Sequence, residues 1–141
     1  WSPSSISYTG NNRTHMIRVP DAGRFELRLM DGSSNPYLLQ AGVIAAGLHG
    51  LNNKINPGEP LSCNMYTDYK NLPHLKKLPN EIQDALEFLQ NSKELKEAFG
   101  ENVITSYIKL KNMEIEDFKK NDKFDKESSV TDWEKNSTLD C

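Results

Sequence analysis

No stretch of this 141-residue sequence approaches the ~18 consecutive apolar residues that a membrane-spanning helix requires. A transmembrane segment is therefore not expected. Nor is there an excess of positive charge: 17 Lys and Arg against 20 Asp and Glu leave a net charge of −3. Such a balance speaks against general binding to nucleic acid or to an anionic membrane surface. Cysteine occurs only at Cys63 and Cys141, far apart, and no signal-like apolar stretch opens the chain. Both are read as free thiols in a reducing, cytoplasmic compartment. The apolar share, 36%, is low for a compact globule and allows one domain with a moderate core. An initiating Met is missing too. The chain starts at Trp1 without leader-like composition, and a piece of a longer protein is expected.

Arginine is absent after position 28. All four arginines, Arg13, Arg18, Arg24 and Arg28, fall within sixteen consecutive residues, and every later basic residue that is not histidine is lysine. The guanidinium is a planar fork matched to carboxylate and phosphate, whereas the lysine ammonium is a solvated point charge. A surface that only needs solubility has no use for this sorting. An oxyanion site in the first thirty residues is the expectation.

The same region reads as strands. "HMIRV" and "FELRL" are apolar or alternating and rich in β-branched and aromatic residues, and "PDAG" between them is a turn signal. Two antiparallel strands follow. Alternation places Phe25, Leu27 and Leu29 on one face of the second strand and Arg24, Glu26 and Arg28 on the other, roughly 7 Å apart. One carboxylate among several guanidiniums leaves like charges that repel unless an anion joins them. Phosphate is the natural anion, and a carboxylate among phosphates is a natural Mg²⁺ ligand. The competing reading is a solvated strand face, and the residues alone leave both open.

Beyond "DGSSNP", Asn35 or Ser34 caps a helix over about Pro36 to Leu51 that is apolar nearly all round and is expected to be buried. Two strands cannot shelter such a helix, which again suggests missing sequence. Residues 56–79 hold four of the seven prolines and read as an extended loop. A helix capped by Asn80 follows, with Ile82, Ala85, Leu86 and Leu89 on one side. A short helix then ends at Gly100, and a longer one spans about Glu101 to Lys119. Val103, Ile104, Tyr107, Ile108, Leu110, Ile115 and Phe118 trace the expected buried stripe of that last helix. Strands first and helices later make the class α+β, with residues 1–119 as the folded part and 120–141 as a charged tail.

The string "NNRTHMIRVPDAGRFELRLMDGSSNPYLLQAGVIAAGLHGLNNKINPGEPLSCNMY" resembles the C-terminal part of the catalytic domain of the glutamine synthetase family. Asn-Arg, Ile-Arg-Val-Pro, Arg-x-Glu-x-Arg, Asp-x-x-x-Asn-Pro-Tyr, an Ala-rich helix, "NKINPGEP" and "NMY" occur in the family's order over roughly residues 11–67. The short "PDAG" connection, with "YIKLK" and "DWEKNSTLDC", is similar to the branch that includes γ-glutamylmethylamide synthetase (glutamate–methylamine ligase) and type III-like glutamine synthetases.

The resemblance implies roles by position. Glu26 would be a ligand of the metal, Mg²⁺ or Mn²⁺. Arg28 would be catalytic, beside the γ-carboxylate of L-glutamate and the phosphoryl group in transfer. Arg13 would stabilise charge on that moving group, and Arg18 and Arg24 would hold ATP phosphates. The implied reaction is ATP-dependent formation of γ-glutamyl phosphate, then attack by ammonia or methylamine, in a ring-shaped homo-oligomer. The family's other metal-binding glutamates and histidine have no counterpart here, and His15, His49 and His74 are read as structural or solvent-facing. The chain alone is accordingly expected to be inactive. Tyr66 falls where some family members carry a modified tyrosine, but its context "CNMYTD" differs and a plain loop tyrosine is the favoured reading. An alternative of another class is a non-catalytic module that binds nucleotide or phosphate through the Arg13–Arg28 cluster.

Overall fold

The computed structural model describes residues 2–121 and 130–137. In chain order these form β1 (Tyr8–Thr9), β2 (Ile17–Asp21), β3 (Arg24–Leu27), α1 (Pro36–Asn52), α2 (Met65–Asp68), a 3-10 turn (Tyr69–Asn71), α3 (Ile82–Asn91), α4 (Lys93–Phe99), α5 (Glu101–Asn121) and α6 (Asp132–Ser137). The architecture is α+β. Two compact units divide it, Trp1–Asp31 with Asn56–Ala85, and Gly32–Ile55 with Leu86–Cys141.

The first unit carries the sheet, ordered β1-β2-β3. The expected hairpin is present: β2 and β3 run antiparallel, with Ile17 opposite Leu27 and Arg18 opposite Glu26. Gly23 takes φ 78° in the turn, a conformation that a side chain disfavours. The register shifts between Arg18 and Asp21, where Pro20 lacks the N–H that a regular ladder in this central strand would require. Sequence reasoning did not anticipate β1, which pairs parallel to β2. Nor did it anticipate how far the proline-rich loop is ordered. Leu61 N–H donates to the Tyr8 carbonyl (3.0 Å), and the Tyr8 hydroxyl donates to the Gly58 carbonyl (2.6 Å). Ser5 bridges antiparallel to Lys77, and α2 and the 3-10 turn interrupt the segment expected to be extended.

The second unit is helical. Asn35 caps α1 by accepting from the Tyr37 and Leu38 N–H groups, both at 3.1 Å, with Pro36 in the first turn. The expectation that α1 is buried fails: none of its residues is buried, and Tyr37 is 82% and Leu51 75% exposed. Its apolar character is real, but the described residues leave most of it uncovered. Ser92 caps α4 through the Leu95 N–H, and Gly100, at φ 85°, ends it. The buried stripe of α5 is narrower than expected. Ile104 is buried, whereas Val103 and Leu110 are exposed. Helix α5 runs on to Asn121, and α6 places Trp133 edge-on to Phe118, ring centroids 5.4 Å apart, with its indole N–H donating to Asp117. Residues 122–129 and 138–141 of the expected tail, Cys141 among them, lie outside the described residues.

Candidate active site

The hairpin register decides the geometry of the charged face. With Arg18 directly opposite Glu26, the two side chains share a face of the sheet, and Arg18 Nη1 lies 2.8 Å from Glu26 Oε2. Arg28 stands one residue past β3, yet its backbone N–H still donates to the Met16 carbonyl (2.9 Å), which continues the ladder. Two residues along from Glu26, it falls on the same face, and its Nη1 pairs with Glu26 Oε1. Each carboxylate oxygen thus accepts from a different guanidinium. Hydrogen bonds from Arg28, then from Arg18, hold the Glu26 carboxyl below the ordinary glutamate value, against a smaller opposing effect of burial.

The remaining arginines are placed differently. Arg18 is buried, and its Nε donates to Asn11 Oδ1 (3.0 Å), as does its Nη2. A guanidinium has five N–H groups. Three of Arg18's are committed to Asn11 and Glu26, on a side chain only 10% exposed. Arg13 and Arg24 are exposed and make no ion pair among the described residues. Two guanidiniums, not four, close around the carboxylate, while the other two stand in solvent. Arg28 offers one further group: its Nε is buried and has no hydrogen-bond partner among the described residues. A buried donor of this kind is costly unless something accepts from it.

Asn11 is the residue that sequence reasoning missed. Its place in "GNNR", a polar string just before the strand, gives no sign that it anchors Arg18. His15, read as structural or solvent-facing, is structural: it is fully buried and bonded to Ser7 and to the Cys63 carbonyl. His49 hydrogen-bonds within α1's C-terminal turn to Asn53, and His74 is exposed.

A divalent cation takes oxygen ligands from several groups. Among the described residues, no three His, Cys, Asp or Glu side chains gather into such a set. Glu26 nonetheless fits as a single ligand. Its lowered pKa keeps it ionised, it is 34% exposed, and each oxygen has a lone-pair direction left beyond its guanidinium bond.

The family described as "Glutamine synthetase, catalytic domain" matches residues 1–136. The chain belongs to the glutamine synthetase family. It is 46% identical over 140 residues to "Glutamine synthetase" of Rhizobium meliloti, covering 99% of this chain and 30% of that protein. It is 40% identical over 144 residues to "Glutamate--methylamine ligase" of Methyloversatilis universalis, with the same two coverages. A solved structure titled "GmaS/ADP complex-Conformation 1" superposes with a TM-score of 0.80 at 41% identity, covering all of this chain and 30% of that one. The chain therefore spans about 30% of the length of these glutamine synthetase relatives. Among the described residues, no helix is long and apolar enough to cross a membrane.

Proposed function

We propose that this chain supplies one wall of the phosphoryl-transfer site of a cytoplasmic, ATP-dependent glutamate–amine ligase. In this reading L-glutamate is converted through γ-glutamyl phosphate, and ammonia or methylamine then displaces phosphate. The observation that carries the reading is the single carboxylate, Glu26, held ionised between Arg18 and Arg28, with a buried and unsatisfied Nε on Arg28. Membership of the glutamine synthetase family supports the reaction class. The remaining ligands and the cover for the exposed face of α1 are proposed to come from the rest of the intact enzyme and from its ring-shaped assembly. Residues 1–119 are proposed as the catalytic-domain portion and 120–141 as a charged tail.

Glu26 would hold Mg²⁺ or Mn²⁺, which when bound neutralises phosphate charge. Arg18 braces Glu26 from the neighbouring strand, and its two uncommitted N–H groups remain for a nucleotide phosphate. Arg24, exposed on the hairpin, is available to the same phosphates. Arg28 turns its fork toward the glutamate γ-carboxylate and the phosphoryl group in transfer, and its Nε finds there the acceptor it lacks among the described residues. Arg13, on the turn before β2, meets the moving phosphoryl from solvent. This is catalysis by positioning and electrostatics, which requires no covalent chemistry from the protein.

The test is an assay of the intact enzyme with ATP and L-glutamate, supplied with ammonia or methylamine in parallel. Phosphate release that depends on one of the two amines is expected, and the active amine names the acceptor. Failure with both would overturn the assignment.

A further inference from the structure

A second polar cluster in the first unit has no part in the reaction just described. It joins residues 12–15 to residues 63–65. Asn12 Nδ2 donates to the Cys63 carbonyl (3.1 Å), the Met65 N–H donates to Thr14 Oγ1 (3.0 Å), and Thr14 Oγ1 donates to Asn12 Oδ1 (2.9 Å). His15 completes it, with Nε2 2.9 Å from the same Cys63 carbonyl and Nδ1 3.2 Å from Ser7 Oγ. A carbonyl only accepts, so Nε2 carries the proton. In the neutral ring Nδ1 then accepts from the Ser7 hydroxyl. His15 has no exposed surface, and Ser7 and Thr14 are 8% and 9% exposed. Directional bonds buried this deeply hold their segments in one arrangement, because any slip leaves a polar group unpaired.

Arg13 sits between Asn12 and Thr14, on the exposed turn that this cluster ties down. Its side chain makes no hydrogen bond or ion pair among the described residues, so its position comes from the backbone beneath it. Misplacing a group by about 1 Å at a reacting centre is enough to cost about a hundredfold in rate.

We infer that the buried clamp, with His15 at its centre, is the positioning device for Arg13. The inference rests on the reading of Arg13 as the group that meets the transferred phosphoryl. His15 acts through the turn and touches no substrate, so it is a positioning residue.

The test is a mutant cycle in the intact enzyme. His15→Ala is expected to lower kcat by about ten- to a hundredfold while the KM values for ATP and glutamate change less than about threefold. His15→Gln, whose amide nitrogen reaches toward the Nε2 position, should recover most of that loss. In an Arg13→Ala background, His15→Ala should cost no further kcat, because the group it places is gone. Amide hydrogen exchange over residues 11–16 and 62–66 should quicken in His15→Ala and not in Arg13→Ala. Additive losses in the double variant, or unchanged exchange in His15→Ala, would overturn the inference and leave the role of Arg13 standing. Full activity in Arg13→Ala would overturn the role of Arg13 and the inference with it. Should His15→Ala fail to assemble, Thr14→Val, which removes the acceptor of the Met65 N–H, carries the same cycle with the same outcomes.

Discussion

The two units of the chain bury different chemistry. Among the described residues of the first, the buried side chains are Ser5, Ser7, Thr9, Thr14, His15 and Arg18, with Pro3 and Met65 as the apolar exceptions. In the second they are Leu86, Ile104 and Thr131, while Ile44, Leu48, Leu51 and Phe88 lie more than half exposed. Hydrogen bonds are directional and apolar contacts are not. A polar interior therefore sets where atoms point, which is what a carboxylate between two guanidiniums requires. An apolar helix sets only how much surface leaves water, and α1 leaves most of its own uncovered.

The largest expected effect tests the directional half. In the intact enzyme, Glu26→Gln keeps the shape and removes the charge, and should lower metal-dependent turnover by about a thousandfold with unchanged circular dichroism. A loss below tenfold would remove Glu26 from the site. Next comes the apolar half: Ile104→Ala should destabilise by about 3 kcal/mol, read from the midpoint of denaturant unfolding, and leave kcat of the folded enzyme near its starting value. A large fall in kcat would break the division of labour between the units. Arg28→Lys should cost about a hundredfold in kcat/KM, since a point charge cannot replace the fork. Asn35→Ala, which removes the α1 cap, should cost about 1 kcal/mol and no catalysis.

The smallest effect is in pH. The Glu26 pKa is lowered by its bonds to Arg28 and Arg18. In the window between the folded value and the ordinary 4.5, the unfolded chain binds more protons, so stability rises with pH. The contribution is complete above 4.5 and is lost as pH falls through the folded value. Glu26→Gln should flatten the stability profile in that acid window alone. An unchanged slope would mean that other carboxylates govern it.

Much of the charged strand face was legible because its periods are short. Alternation placed Glu26 and Arg28 on one strand face, the "PDAG" turn put Arg18 across from them, and Asn35 before Pro36 announced a helix start. Asn11 and the His15 clamp were not legible, since each depends on a partner chosen by the fold: Arg18 seven residues on, Cys63 forty-eight residues on. The stripe on α5 was drawn too wide because periodicity reports which residues share a face and says nothing about the width of the neighbour that covers it. For α1 the error had the same origin. Apolar composition predicts a demand for burial, and only packing supplies it.

By itself, the sequence determined the α+β order, the hairpin, the Asn35 cap of α1, the end of α4 at Gly100, the arginine-rich segment and, through strings of residues at set spacing, the family. Those features depend on local backbone preference and on side-chain alternation, which operate over a few residues. Tertiary structure alone decided that Arg18 is committed to Glu26 and Asn11, that Arg13 and Arg24 are exposed with no ion pair among the described residues, and that residues 63–65 tie down the turn beneath Arg13. Those outcomes depend on which distant groups reach hydrogen-bonding distance, and spacing along a chain does not contain that information.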